Sequence, residues 1–262
     1  MIHDEESPRF GRRAFARRVA AAAAGTWAIA GRAEGGIARA ASPSVRVRVW
    51  SEGSAPRSVY PGDIDGAIGD ALRRVKGLEV EQARLGDPDS GLSERQLDAT
   101  DVLIWWGRLR HDDLRDDRAR AIADRVRAGR LGFVALHASC GGQPFGLLMG
   151  SPCEPDGWRD DGRAERVLVE DRGHPIARGV APFTIPRVAM FREPFKVPTP
   201  ESVVLSSTFE GGETFRSGLT WTVGRGRVAY FRPGHEAFPV FFHPGVRKVI
   251  ANAALWASPA RA

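Results

Sequence analysis

The chain has little cysteine, lysine or tyrosine: its 262 residues hold Cys140 and Cys153, three lysines (Lys76, Lys196 and Lys248) and two tyrosines. Two cysteines exclude a disulfide-dense scaffold, and their spacing alone does not decide whether they pair. Outside the N-terminus no apolar run reaches the ~20 residues needed to cross a bilayer. There is no Gly-x-Gly-x-x-Gly after the first strand and no Gly-Lys-Ser/Thr, so no nucleotide cofactor is expected. Neither a Gly-x-Ser-x-Gly elbow nor a His-Glu-x-x-His helix occurs, which removes two common hydrolase signatures. A basic stripe is missing too. The net charge of +6 divides into seven Arg against four acids in residues 1–40 and 31 basic against 28 acidic residues afterwards. The near-balanced body speaks against nucleic-acid binding.

The composition, 42% hydrophobic and 27% charged, suits a globular protein with a substantial core. Residues 1–40 read as a targeting segment. Arg12-Arg13 and Phe15 resemble a twin-arginine export signal, an Ala-rich stretch follows from Val19 to Ala30, and Ala38-Arg39-Ala40 forms a small-x-small cleavage site before Ala41. The expectation is a folded protein exported to the periplasm or beyond, with no membrane attachment afterwards.

In the body, residues 45–50 alternate apolar and polar as a strand does, and Ile64, Ile68, Leu72 and Val75 recur at helical spacing over 63–75. A second strand is expected at 78–85. Residues 101–107 and 132–137 are unbroken apolar runs, the pattern of strands buried on both faces. A helix over 116–128 lies between them. Strand–helix alternation predicts parallel pairing through right-handed crossovers. After Ser151 proline and glycine multiply, short strands are expected at 166–169, 203–206, 219–223 and 227–231, and Val246, Val249, Ile250 and Ala253 mark a closing helix. The expectation is an α/β domain, mostly parallel, with a mixed-strand elaboration in its second half.

Three of the six histidines follow apolar strands closely: His111, His137 and His235. Ligands of open α/β sheets bind outside the carboxyl ends of strands. Three imidazoles there could converge, to shuttle protons or to hold a divalent metal such as zinc. Glu236 adjoins His235, where a carboxylate can fix a tautomer or act as a base. Asp113 reads as helix N-terminal charge, and His174 and His243 as turn residues.

Taken together, several stretches resemble the trehalose utilisation (ThuA-like) family. They include Trp50-Ser51-Glu52, Tyr60-Pro61-Gly62-Asp63-Ile64, Val102-Leu103-Ile104-Trp105-Trp106-Gly107, Leu136-His137, Trp158-Arg159, Phe191-Arg192-Glu193-Pro194-Phe195, Phe215-Arg216-Ser217-Gly218 and Phe231-Arg232-Pro233-Gly234-His235-Glu236. The resemblance covers nearly all of 45–257 and makes 41–262 a single ThuA-like domain. It implies a class I glutamine amidotransferase-like fold, a flavodoxin-like three-layer sandwich. It also implies a role in disaccharide or glycoside catabolism, on trehalose-related or 3-keto sugars, with a small sugar as partner. Self-association into a homo-oligomer is left open. Two departures weaken a His-rich metal site: the loop after the first strand reads Ser54-Ala55-Pro56-Arg57 instead of carrying an Arg-His pair, and Cys140 stands where relatives have a second His.

On this reading His137, His235 and Glu236 are the catalytic candidates, with His111, His137 and His235 as metal ligands and Cys140 as a substitute donor. Trp50, Trp106 and Trp158 would offer faces to a sugar, and Arg216 and Arg232 would hold an enolate. Two other readings stand beside it. One is a cysteine hydrolase or amidotransferase using Cys140 with His235 and Glu236. The other is a sugar-binding protein without catalysis.

Overall fold

The computed structural model describes residues 44–260. The export segment expected at 1–40 lies outside the described residues. Four strands, β1 (Val45–Ser51), β2 (Leu78–Arg84), β3 (Val102–Trp106) and β4 (Gly132–Leu136), alternate with α1 (Asp63–Leu72), α2 (Glu94–Asp98) and α3 (Asp116–Arg127). A short helix, α4 (Gln143–Met149), follows. Next come β5 (Gly157–Val169), β6 (Phe183–Arg192), β7 (Ser202–Phe209), β8 (Thr214–Val223) and β9 (Gly226–Phe231), and α5 (Pro244–Ala257) closes the chain.

All the strands join one nine-stranded sheet in the order β2-β1-β3-β4-β9-β8-β7-β5-β6. The half from β2 to β9 is parallel, as the strand–helix alternation predicts. The other half is antiparallel throughout. The expectation of a mostly parallel sheet is therefore corrected to a mixed one. From β5 to β9 no helix longer than a single turn intervenes, and strands joined without crossover helices pair antiparallel.

Every residue of β3 and β4 is buried, so the centre of the parallel half is covered on both faces. α1 packs with α5 and α3 with α4. The stacked rings of Trp50 and Trp105, 3.7 Å apart, lie within this core. His243 caps α5: its Nδ1 accepts the Gly245 N–H at 3.1 Å. The turn residue expected at His243 is a helix cap.

This topology places the site. Because β3, β4 and β9 are parallel neighbours, their carboxyl ends open on one rim of the sheet. The loops carrying His111, His137 and His235 all leave from there.

Candidate functional site

A cleft of about 330 Å³ opens on this rim, lined by Arg108, Leu109, His137, Cys140, Trp158 and His235 among others. His137 is the first residue after β4 and has φ of +53°. That left-handed conformation is costly for a non-glycine residue and persists only where neighbours enforce it. Here the Tyr230 hydroxyl donates to the His137 carbonyl at 3.0 Å. Gly234 lies so close that a Cβ on it would fall 2.6 Å from the His137 Cβ. Only glycine lets the 232–236 segment approach this way, and the result is a His137–His235 ring separation of 5.4 Å.

The hydrogen bonds assign the ring protons. His137 Nδ1 lies 3.1 Å from the Arg232 carbonyl oxygen. A carbonyl only accepts, so Nδ1 carries the proton and Nε2 the lone pair. At His235 the situation is reversed: Nδ1 accepts the Ala237 N–H at 3.0 Å, so the neutral ring carries its proton on Nε2. Complete burial, with the nearby Arg232 charge, holds the His137 pKa well below the usual histidine value. Burial also lowers that of His235, against the opposing pull of Glu236 and Asp160. In neutral solution the cleft thus presents one imidazole as an acceptor and one as a donor.

Around this pair stands a frame of carboxylates. Asp160 Oδ2 lies 3.4 Å from His235 Nε2, and Glu236 Oε2 lies 3.5 Å from His235 Nδ1. Glu236 Oε1 accepts from the Arg108 guanidinium. Arg108 is itself placed by Glu52, a buried carboxylate just past β1. The Glu52 oxygens accept the backbone N–H groups of Arg108 at 2.8 Å, Leu109 at 2.9 Å and Arg110 at 3.0 Å. Burial pushes the Glu52 pKa up, but the Ser54 hydroxyl and these N–H groups outweigh it and hold the carboxylate below its usual value.

The profile of the Trehalose utilisation family, ThuA, matches residues 46–257. The chain belongs to the ThuA family. A ThuA-like protein from Bacteroides uniformis has a similar structure, with a TM-score of 0.60 and 16% identity over 82% of this chain and 92% of that one. A ThuA-like protein from Parabacteroides merdae superposes with a TM-score of 0.61 and 14% identity over 82% and 90% of the two chains. At these identities the likeness is one of fold. No curated protein sequence matches this one.

Within this ThuA-family rim, His137, His235 and Trp158 come together and Glu236 stands behind His235, but other expected residues do not join them. The His111 ring packs against the backbone turns at Gly107, Gly141 and Gly142, where an added Cβ would lie 3.3–3.4 Å from it. Among the described residues no group of three His, Cys, Asp or Glu side chains could hold a metal ion. The proposed ligand set of His111, His137 and His235, with or without Cys140, therefore does not fit a divalent ion. Trp50 and Trp106 are core indoles, 2% and 0% exposed, and offer no face to a sugar. Arg232 is wholly buried and paired with Glu165. Arg216 pairs with Glu193 at 2.9 Å beside a separate surface depression. Both arginines are occupied by carboxylates from other parts of the sheet, so neither reaches the cleft.

Both cysteines of this ThuA-family chain are free thiols. Burial pushes the Cys140 pKa up to about 12, so the group is a thiol, not the thiolate that nucleophilic catalysis needs. This speaks against the cysteine-hydrolase reading. Cys140→Ala is expected to keep its turnover within about twofold, and Cys140 to resist iodoacetamide at pH 8 in the folded protein. Loss of activity in that variant would restore the thiol as a candidate.

Glu52, Arg108 and Asp160 were not among the expected site residues. Glu52 and Arg108 lie at the carboxyl ends of β1 and β3, a position that could have marked them. Asp160 carries no such mark.

Proposed function

We propose that this protein is an exported enzyme of glycoside catabolism that cleaves 3-keto derivatives of trehalose-like disaccharides by proton abstraction. Within the same reading the fold is a flavodoxin-like, amidotransferase-type sandwich, supported by the 2-1-3-4 order of the first four parallel strands. The observation that carries the function is a histidine, His137, whose Nδ1–H is bound to the Arg232 carbonyl, which leaves Nε2 with the lone pair, and which lines a cleft shared with a second imidazole and an exposed indole.

A ketone at C3 acidifies the hydrogen at C2. His137 Nε2 takes that proton, and the electrons of the C2–H bond form an enolate on the C3 oxygen. His235 Nε2–H is the donor for this oxygen, which is the electrostatic stabilisation such a step requires. The enolate collapses, a C1–C2 double bond forms and the C1–O glycosidic bond breaks. The departing alkoxide takes the proton back from the His137 imidazolium. Water then adds to the unsaturated ketone, giving the free 3-keto sugar. Glu236 acts by holding Arg108 and standing against His235, not by touching the sugar.

The test is purified protein with 3-keto-trehalose in deuterium oxide. Release of glucose and deuterium at C2 are the expected results. No consumption and no exchange would overturn the proposal, and tight binding without either would leave a non-catalytic sugar-binding protein.

A further inference from the structure

The antiparallel arm β5–β6 contributes two side chains to the rim, and the sequence joins them. Trp158 and Asp160 are two residues apart on β5, the first in regular pairing and the second in a bulge. Trp158 lines the cleft with its indole 65% exposed, which is unusual for the largest apolar side chain. Asp160 reaches His235 Nε2 at 3.4 Å.

This placement depends on an irregularity in the strand. Arg159 pairs with Met190 and Arg163 with Val188, so Asp160, Asp161 and Gly162 lie opposite Ala189 alone. Such a bulge re-aims side chains. It requires Gly162, whose φ is +63° and whose added Cβ would sit 3.2 Å from the Phe238 ring. Within the bulge the two aspartates diverge. Asp161 pairs with Arg159 and Arg163, and Arg159 also reaches Glu213. The cations of the arm are thereby drawn to Asp161 and away from Asp160.

We propose that Trp158 and Asp160 form a subsite for one neutral pyranose ring, with the indole stacked on the ring's C–H face and the carboxylate accepting its hydroxyls. An indole next to an acceptor carboxylate matches the two surfaces of a pyranose, apolar C–H bonds on a face and hydroxyl donors at the rim. The proposal deepens the carbohydrate reading above and rests on it. It also sets a charge preference. Arg108 is paired with Glu236, while Asp160 and Glu154 bring negative charge to the border of the cleft. Among the residues lining the cleft, a phosphorylated or carboxylated sugar would meet no uncommitted cation.

Calorimetry with methyl 3-keto-glucopyranoside, trehalose and glucose 6-phosphate tests this. The wild-type protein is expected to bind a neutral pyranoside and to bind the phosphate at least about tenfold more weakly. Trp158→Ala and Asp160→Asn should each weaken neutral-sugar binding about tenfold. Both side chains are partly exposed, and circular dichroism melts would verify that the variants are folded. Wild-type affinity in both variants, or equal affinity for the phosphate, would overturn the subsite while leaving turnover by His137 standing. No binding or turnover of any pyranoside by the wild-type protein would overturn this proposal together with the carbohydrate reading.

Discussion

Replacing His137 with asparagine is expected to lower kcat by about 10²–10⁴-fold, the usual contribution of a general base, while KM changes little. Asparagine is chosen because it tolerates the left-handed backbone at this position. Its amide N–H can still donate to the Arg232 carbonyl that now receives His137 Nδ1–H. What it lacks is a basic nitrogen. A variant that folds and retains more than about a tenth of the wild-type kcat would remove His137 as the base.

The same residue sets a pH dependence. Its pKa is well below the ordinary histidine value, because burial and the Arg232 charge disfavour the imidazolium. A base must be neutral to act. The acid limb of kcat/KM should therefore lie well below the pH at which an unperturbed histidine titrates, about 6.5. Stability runs in the same direction. In the unfolded chain the ring takes up a proton as pH falls below about 6.5, whereas in the folded protein it resists. The stability associated with the neutral ring is thus present above that pH and is lost as pH falls toward the folded-state value. A denaturant midpoint that falls less steeply in this window for His137→Asn would verify the linkage.

The legible part of the fold was the part whose strands are buried on both sides. Residues 101–107 and 132–137 announce themselves because water touches neither face of β3 or β4. The arm was illegible for the opposite reason. The first half of β5 carries Trp158, Arg159, Asp160, Asp161 and Arg163, all at least partly exposed, and it is held by backbone pairing to β6 that no apolar alternation records. Only its buried end, near Val167, was expected as a strand. β6 carries Pro186 within it, and proline lowers any strand expectation.

The site divides similarly. His137 and His235 could be found because position at a strand's end is a sequence property. Glu52 could not be assigned a role, since its partners are backbone N–H groups more than fifty residues away. Arg216 and Arg232 were misassigned because an arginine's availability depends on its carboxylate partners. Those partners, Glu193 and Glu165, come from the bend after β6 and from β5. Sequence order showed the cations and hid what neutralises them.

The Glu165–Arg232 pair leads to the largest expected change in stability. Both side chains are wholly buried. Ser207 Oγ donates to Glu165, the Arg232 guanidinium donates to the Ala189 carbonyl, and it lies 5.0 Å above the Phe209 ring. The cluster joins the residue just after β9, at the end of the parallel half, to β5, β6 and β7 of the antiparallel half. Burial works against both charges, raising the Glu165 pKa and lowering that of Arg232. A pair under such desolvation adds little over an apolar replacement of the same size, but removing one partner strands the other charge. Glu165→Ala is expected to cost about 3–5 kcal/mol. At about 2–4 °C per kcal/mol for a domain of this size, the melting temperature should fall by about 10 °C. The double replacement Glu165→Leu with Arg232→Met should recover most of that loss, since no charge is then left unpaired. Activity at neutral pH should recover with stability, because burial, the larger cause of the low His137 pKa, is kept. The acid limb of the double variant should move up part of the way toward the ordinary histidine range, since the Arg232 charge also lowers that pKa. A single variant that melts with the wild type, or a double variant no more stable than the single, would show that the pair carries no stranded-charge penalty.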